Sequence, residues 1–405
     1  MKWYNEEVLK NDIHANFGRT YQQCTLSVMD TIADPDITFD EKGICNYYYD
    51  YLEAEKKTVF NGEIGAQKFR GIIEEIKKKG KGQQYDCILG VSGGVDSSYL
   101  AYLCKREQLR PLLVHFDNGW NSELAVNNIQ NLVKKCGFDL YTYVMDWEEF
   151  KEVQKAYFRA SVLDLEIPTD HFIFGALFEI AKKYKINTIL SGWNTRTEFV
   201  MPKSFFFSRK FDALNLLDIV KKYGKLKKIS KLPLLSFSSQ LYNSLVRKTR
   251  LVSLLNYIDY NKAEVKEVLK SELEWRDYGG KHYESVFTRF YQGYILPVKF
   301  NIDKRKCHLS NLIFSGQLSR QEALEELKQP PYDPALQKLD FEYVAKKLDF
   351  TLEEFQAILE TPPRSHYDFK TTEKYWKMYL KVVKLLKPLQ LTFSKRADGR
   401  SKHKK

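Results

Sequence analysis

Apolar residues recur along the chain in short runs, separated by stretches with the spacing of amphipathic helices. Cys87-Ile88-Leu89 opens a run of buried-strand character, and Val95, Tyr99, Leu100 and Leu103 after it follow a helical period. A second strand is predicted from Pro111 to Phe116, then a helix from about Ser122 with Ile129, Leu132, Val133 and Cys136 on its inner face. Strand Leu140 to Met145 leads into a helix over Trp147 to Arg159. The next helix, Thr169 to Tyr184, carries Phe172, Ile173, Leu177 and Ile180, and strand Thr188 to Leu190 follows. Upstream, Phe69, Ile72, Ile73 and Ile76 define a helix over 65–80 that Gly80 stops. Downstream, residues 200–270 are basic, aromatic and interrupted. The pairs Ser319/Glu322 and Thr351/Glu354 then form capping boxes that start short helices, and 372–386 reads as a last helix. Alternating strands and helices predict an α/β fold, a doubly wound parallel sheet. Expected boundaries are an N-terminal extension over 1–62, the sheet domain over 63–230, a substrate and partner region over 231–335, and C-terminal helices with a basic tail over 336–405. The chain contains no internal repeat.

Composition narrows the class. At 405 residues and 43% hydrophobic, the chain has material for more than one core. No apolar run approaches a membrane span and the first residues, Met-Lys-Trp-Tyr-Asn-Glu-Glu, are no signal peptide, so a cytoplasmic protein without a transmembrane segment is expected. Six thinly spread cysteines suit reduced thiols. Cys24 and Cys45 each open what would be a Cys-x-x-Cys knuckle, but Ser27 and Tyr48 fill the second positions. Two thiolates are too few for a structural zinc unless His14 or another chain helps, so no zinc is expected. The net charge of +12 lies partly in the tail Ser394–Lys405 and partly between Lys203 and Lys270. Such charge suits RNA, an anionic membrane surface or an anionic nucleotide-sugar; for the tail, a solvated end is the plainer reading. Phe205-Phe206-Phe207 before Ser208-Arg209-Lys210 reads as a covered core segment sooner than a membrane-touching loop.

The chemistry concentrates after the first strand, at Ser92-Gly93-Gly94-Val95-Asp96-Ser97-Ser98. Two glycines let the backbone approach an anion, and the helix N-terminus and the hydroxyls of Ser92, Ser97 and Ser98 add donors. Asp96 fits beside phosphates only with a cation between them, which Mg²⁺ would supply. No Gly-Lys-Ser/Thr follows, so this is not a Walker loop. Asp117–Gly119 and Ser191–Glu198 also fall at the carboxyl ends of predicted strands, where parallel sheets bind ligands. A phosphate group is thus expected at Ser92, Gly93, Gly94, Asp96, Ser97 and Ser98; a resemblance to ATP pyrophosphatases implies that it belongs to ATP, with adenosine near His115, Asp117, Asn118, Ser191 and Gly192, and substrate near Asn194 and Glu198. In the second half, Lys281, His282 and Arg289 are candidates to meet phosphates, Lys281 and His282 joining Asp96 as candidate catalytic residues.

The loop resembles the pyrophosphate loop (PP-loop) of ATP pyrophosphatases, which implies an adenine nucleotide alpha hydrolase-like fold and cleavage of ATP to AMP and pyrophosphate. From about Cys24 to Tyr367 the chain resembles the N-acetyl sugar amidotransferase family of WbpG type. The marks are Asp36-Ile37-Thr38-Phe39-Asp40, the Ser92–Ser98 loop, His115 to Ser122, Ile167-Pro168-Thr169-Asp170-His171, Asn256 to Asn261, Trp275 to Ser285 and Pro330-Pro331-Tyr332-Asp333. Similar members usually have cysteines where this chain has Ser27 and Tyr48. The resemblance implies conversion of an acetamido group on a nucleotide-linked sugar to an acetamidino group in lipopolysaccharide O-antigen assembly, with Asp170 and His171 among the substrate residues. It implies ammonia from a glutaminase partner passed through a cyclase-like partner, and no nucleic acid. No cysteine is placed as a glutaminase nucleophile, which independently argues for an outside ammonia source. The competing readings are a PP-loop tRNA-modifying enzyme, suggested by the positive charge, and a scaffold with a decayed site. The first wants paired cysteines at the sheet edge, whereas Cys87 reads as strand, Cys104 and Cys136 as helix and Cys307 as basic loop. The second conflicts with the intact loop.

Overall fold

The computed structural model describes residues 6–12, 17–280 and 283–384. Lys281, His282, His14 and the tail from Ser394 lie outside the described residues. Five strands form one parallel sheet: β1 (Cys87–Gly90), β2 (Pro111–Asp117), β3 (Leu140–Val144), β4 (Thr188–Leu190) and β5 (Arg250–Val252), in the order β3-β2-β1-β4-β5. The chain winds outward through β1, β2 and β3, then returns to the other side of β1. The point of reversal lies between β1 and β4, where such sheets bind ligands.

Strand side chains alternate between two cores. Ile88, Leu112, Val114 and Ile189 join one apolar cluster with the helices Trp147–Ala160, Ile167–Lys183 and Ala213–Tyr223. Cys87, Leu89, Leu113 and Leu190 join the other, with the helices Gly62–Gly80, Val95–Arg106, Glu123–Cys136 and Lys262–Leu273. Both faces are therefore covered, as the near-continuous apolar strands require, and the expected doubly wound α/β class holds. The helix Glu123–Cys136 shows how local sequence sets its limits: Ser122 accepts from the Ala125 amide at the start, and Gly137 closes the end in left-handed geometry at φ 71°. Ser319/Glu322 and Thr351/Glu354 form both expected capping boxes.

Two expectations change. The interrupted stretch 200–270 holds the edge strand β5 and the helix Lys262–Leu273, and Cys307 sits buried in the helix Arg305–Phe314 rather than in a basic loop. Phe205 and Phe207 are buried, as read. No described helix is long and apolar enough to cross a membrane.

Candidate functional site

The turn after β1 is built around Gly93, whose φ is +79°; a Cβ there would lie 2.5 Å from the Ala125 carbonyl oxygen. Only glycine fits that conformation and that approach. The loop is held from outside. The Trp275 indole N–H donates to the Gly93 carbonyl at 2.8 Å, and the Asn128 amide bridges Gly93 to the Arg276 backbone. At the reversal point the loop after β4 presses on the same turn, since a Cβ on Gly192 would stand 3.2 Å from that of Asp96.

A cavity of about 280 Å³ opens over this turn, lined by Ser92, Gly94, Asp96, Ser97, Gly192 and Glu198 together with Tyr278, Gly279, Gly280 and Glu284. Lys262 and Lys266, one helical turn apart at the start of their helix, also line it. Sequence reading missed these two lysines, although Asn261 as helix cap and Val265, Leu269 and Leu273 at four-residue spacing were available signals. The Tyr260 hydroxyl donates to Asp96 Oδ1, and the Asn194 amide reaches the same oxygen at 3.5 Å. Burial and the neighbouring Asp96 charge hold the Tyr260 hydroxyl far above its ordinary pKa.

Among the described residues no cluster of three His, Cys, Asp or Glu side chains is placed to hold a metal. A single carboxylate at a phosphate loop fits Mg²⁺, which takes one or two carboxylates and completes its octahedron with phosphate oxygens and water. Asp96 would be that ligand.

The adenosine candidates flank the turn. His115, buried in β2, donates through Nδ1 to the Val91 carbonyl at 3.3 Å while Nε2 accepts from Asn121, and burial lowers its pKa. The Asp117 carboxylate and the Asn118 side-chain oxygen accept from the backbone amides of Gly119 and Trp120, and the Ser191 hydroxyl accepts from that of Trp193. These bonds shape the loops at the ends of β2 and β4.

A second cavity, of about 890 Å³, adjoins the first; Glu198 lines both. Its walls combine Phe199, Phe206, Trp193 and Trp376 with Asp164, Glu166, Asp170, Lys210 and Lys304. Lys210 bridges Asp170 at 2.9 Å and Asp164 at 3.5 Å. Burial would lower the Lys210 pKa, but the two carboxylates overrule it and raise it; burial raises Asp164.

The expected substrate residues separate. Asp170 and Glu198 line the large cavity, and Asn194 caps the short helix Thr195–Glu198 beside Asp96. His171, one position from Asp170, points into the core: fully buried, it accepts the Leu235 amide, and burial pulls its pKa down to about 4. Arg289 lines neither cavity and forms a two-pronged ion pair with the buried Asp340 at 2.7 and 2.8 Å, because that carboxylate needs a charge partner. His171 and Arg289 are thus corrected to structural roles. Trp275, Tyr278 and Glu284 of the Trp275–Ser285 run do face the loop.

Cys24 and Cys45 meet in the N-terminal extension. The Cys45 amide donates to the Cys24 sulfur at 3.2 Å, and Ser27 lies 3.8 Å from the Cys45 sulfur. Their proximity pushes the two thiols apart in acidity: the contact with Cys45 lowers Cys24, and the contact with Cys24, with burial, raises Cys45. Tyr48 instead packs on the Phe314 ring.

Residues 284–383 match the family model described as the C-terminal domain of WbpG-like LPS biosynthesis proteins. No curated protein matches the chain. Among solved structures, NMN synthetase from Francisella tularensis is 12% identical, with 51% of this chain and 87% of that one covered and a TM-score of 0.28. The NH3-dependent NAD synthetase from Campylobacter jejuni is 14% identical, covering 70% of this chain and 94% of that one, with a TM-score of 0.28. The matched C-terminal stretch is bonded to the loop that follows β2: the Ser122 amide donates to Glu284 and the Val286 amide to Trp120, each at 2.9 Å. The chain thus carries, over residues 284–383, a WbpG-like C-terminal domain built onto a doubly wound parallel sheet.

Proposed function

We propose that the chain is an ATP-dependent amidotransferase that converts the acetamido group of a nucleotide-linked sugar to an acetamidino group, in lipopolysaccharide O-antigen biosynthesis. The observation that carries this reading is the meeting of two cavities of different character at Glu198. A small polar one fits a triphosphate; a large aromatic and charged one fits an acceptor. The WbpG-like C-terminal match supports the pathway.

ATP lies over Ser92–Ser98, its phosphates held by loop amides and by Lys262 and Lys266. Asp96 would hold Mg²⁺, which would neutralise charge on the phosphates. The acceptor's amide oxygen, near Glu198, attacks the α-phosphorus, and pyrophosphate leaves. Ammonia then adds to the imidate carbon, and AMP departs with the former amide oxygen. One nitrogen enters, one oxygen leaves on AMP, and the amidinium product keeps two of the three ammonia protons. Adenylylation is needed because an amide oxygen is otherwise a poor leaving group. Lys281 and His282, directly after the cavity-lining Gly279 and Gly280, are the candidates to steady the acceptor's phosphates.

Ammonia comes from a separate glutaminase with a cyclase-like partner. All six cysteines are buried, which supports the lack of a glutaminase thiolate, since that nucleophile must reach substrate. The test is AMP and pyrophosphate release with ATP–Mg²⁺, a panel of 2-acetamido nucleotide-sugars and ammonium, with mass spectrometry of the product. Acceptor-dependent AMP release with ammonium but not with glutamine is expected. AMP release indifferent to every acceptor would sink the reading, and glutamine-driven turnover by this chain alone would remove the partners.

A further inference from the structure

We propose that Tyr260 and Asn194 are positioning residues for Asp96, fixing the plane in which its carboxylate meets a phosphate-bound divalent cation. The proposal rests on the nucleotide reading of the Ser92–Ser98 loop and on no choice of acceptor.

Both donors reach the same oxygen, Oδ1, from different directions: Tyr260 from the segment before the helix Lys262–Leu273, Asn194 from the loop after β4. A carboxylate gripped by one oxygen from two sides loses rotation about its Cβ–Cγ bond. That matters for Mg²⁺, which demands near-ideal octahedral geometry. Neither donor is loose. Tyr260 is fully buried, and its carbonyl accepts from Arg196 at 3.2 Å and from Gln317 at 3.4 Å, while the Gln317 side-chain oxygen takes the Lys262 amide at 2.9 Å. Asn194 is buried too, its oxygen committed to the Thr197 amide and hydroxyl, so its nitrogen is turned to Asp96. The competing explanation is that Asp96 merely satisfies a buried tyrosine hydroxyl.

Metal affinity separates the two. Mn²⁺ replaces Mg²⁺ as an observable probe, and α,β-methylene ATP, which cannot be cut, supplies the phosphates. Free Mn²⁺ is followed by electron paramagnetic resonance in a titration of the full chain. Tyr260→Phe is expected to weaken Mn²⁺ binding in the ternary complex about tenfold, and Asn194→Ala by a smaller factor. Binding of the analogue without metal stays unchanged. Unchanged Mn²⁺ affinity in Tyr260→Phe, with a lowered melting temperature alone, would overturn the clamp and leave the nucleotide site standing. Failure of the unaltered chain to bind the analogue would overturn the nucleotide reading, and the clamp with it.

Discussion

The two cavities that meet at Glu198 differ in what lines them. The small one sets the turn Ser92–Ser97 against Gly192, Lys262, Lys266 and the 277–284 segment, so that its walls are mostly glycine and polar side chains. The large one takes Phe199, Phe206 and Lys210 from the single stretch 198–212 and closes it with Asp164, Trp193, Lys304 and Trp376 from remote segments, so that aromatic rings and charges share its walls. On the proposed reading a triphosphate would need charge and backbone donors, which the small cavity offers in its turn and its two lysines. An acceptor of particular shape, as proposed for the large cavity, would need walls that can vary independently, and its remote segments could supply them.

The contrast can be broken most sharply at Asp96. Asp96→Ala is expected to lower AMP formation about a thousandfold or more while circular dichroism and acceptor binding stay as they were; acceptor binding lost along with AMP would mean the cavities are not separable. Acid should strike behind the large cavity. His171 stays neutral in the fold, with its pKa at about 4 against an ordinary 6.5, so the unfolded chain binds a proton that the folded chain refuses across that window. As pH falls from 6.5 to 4, up to ~3 kcal/mol of stability is lost. Melting temperature against pH should therefore be flatter in His171→Asn.

Gly93→Ala tests the small cavity's dependence on backbone. Its φ of +79° and the 2.5 Å approach to Ala125 predict strain of ~1–3 kcal/mol and weaker ATP binding, read by denaturant unfolding and nucleotide titration. Asp170→Asn, which weakens the bridge to Lys210, should raise the acceptor KM about tenfold, or ~1.4 kcal/mol, with the KM for ATP unmoved. A matching shift in the ATP value would merge the two sites.

The same contrast explains what could be read from sequence. Strands β1, β2 and β4 and the loop between them announce themselves because a buried parallel strand is a short apolar run and a phosphate turn needs glycine at a fixed offset. β5 is only Arg250-Leu251-Val252 and pairs on one side, so its local signal is lost among flanking basic residues. Lys262 and Lys266 lie at the end of a stretch that reads only as basic and interrupted, until the fold brings their helix over Ser92. His171 and Arg289 fail for a related reason. Their residue types suit ligand binding, but only packing reveals that one is spent on the Leu235 amide and the other on Asp340. The large cavity draws heavily on 198–212, but that stretch reads as a covered aromatic segment until Asp164, Lys304 and Trp376 are folded against it.

The bond from the Trp275 indole to the Gly93 carbonyl has a stereoelectronic consequence. In a trans peptide the C=O and the next N–H point in opposite directions. Drawing the Gly93 oxygen towards Trp275 therefore turns the Gly94 N–H the other way. The polarity of the turn, whether it offers a dipole's positive or negative end, is thus set by an indole 182 positions further along the chain. Because the indole is itself a chromophore, its emission should register any reorientation of that peptide. The residue that aims the turn is also an optical gauge of whether the turn is aimed.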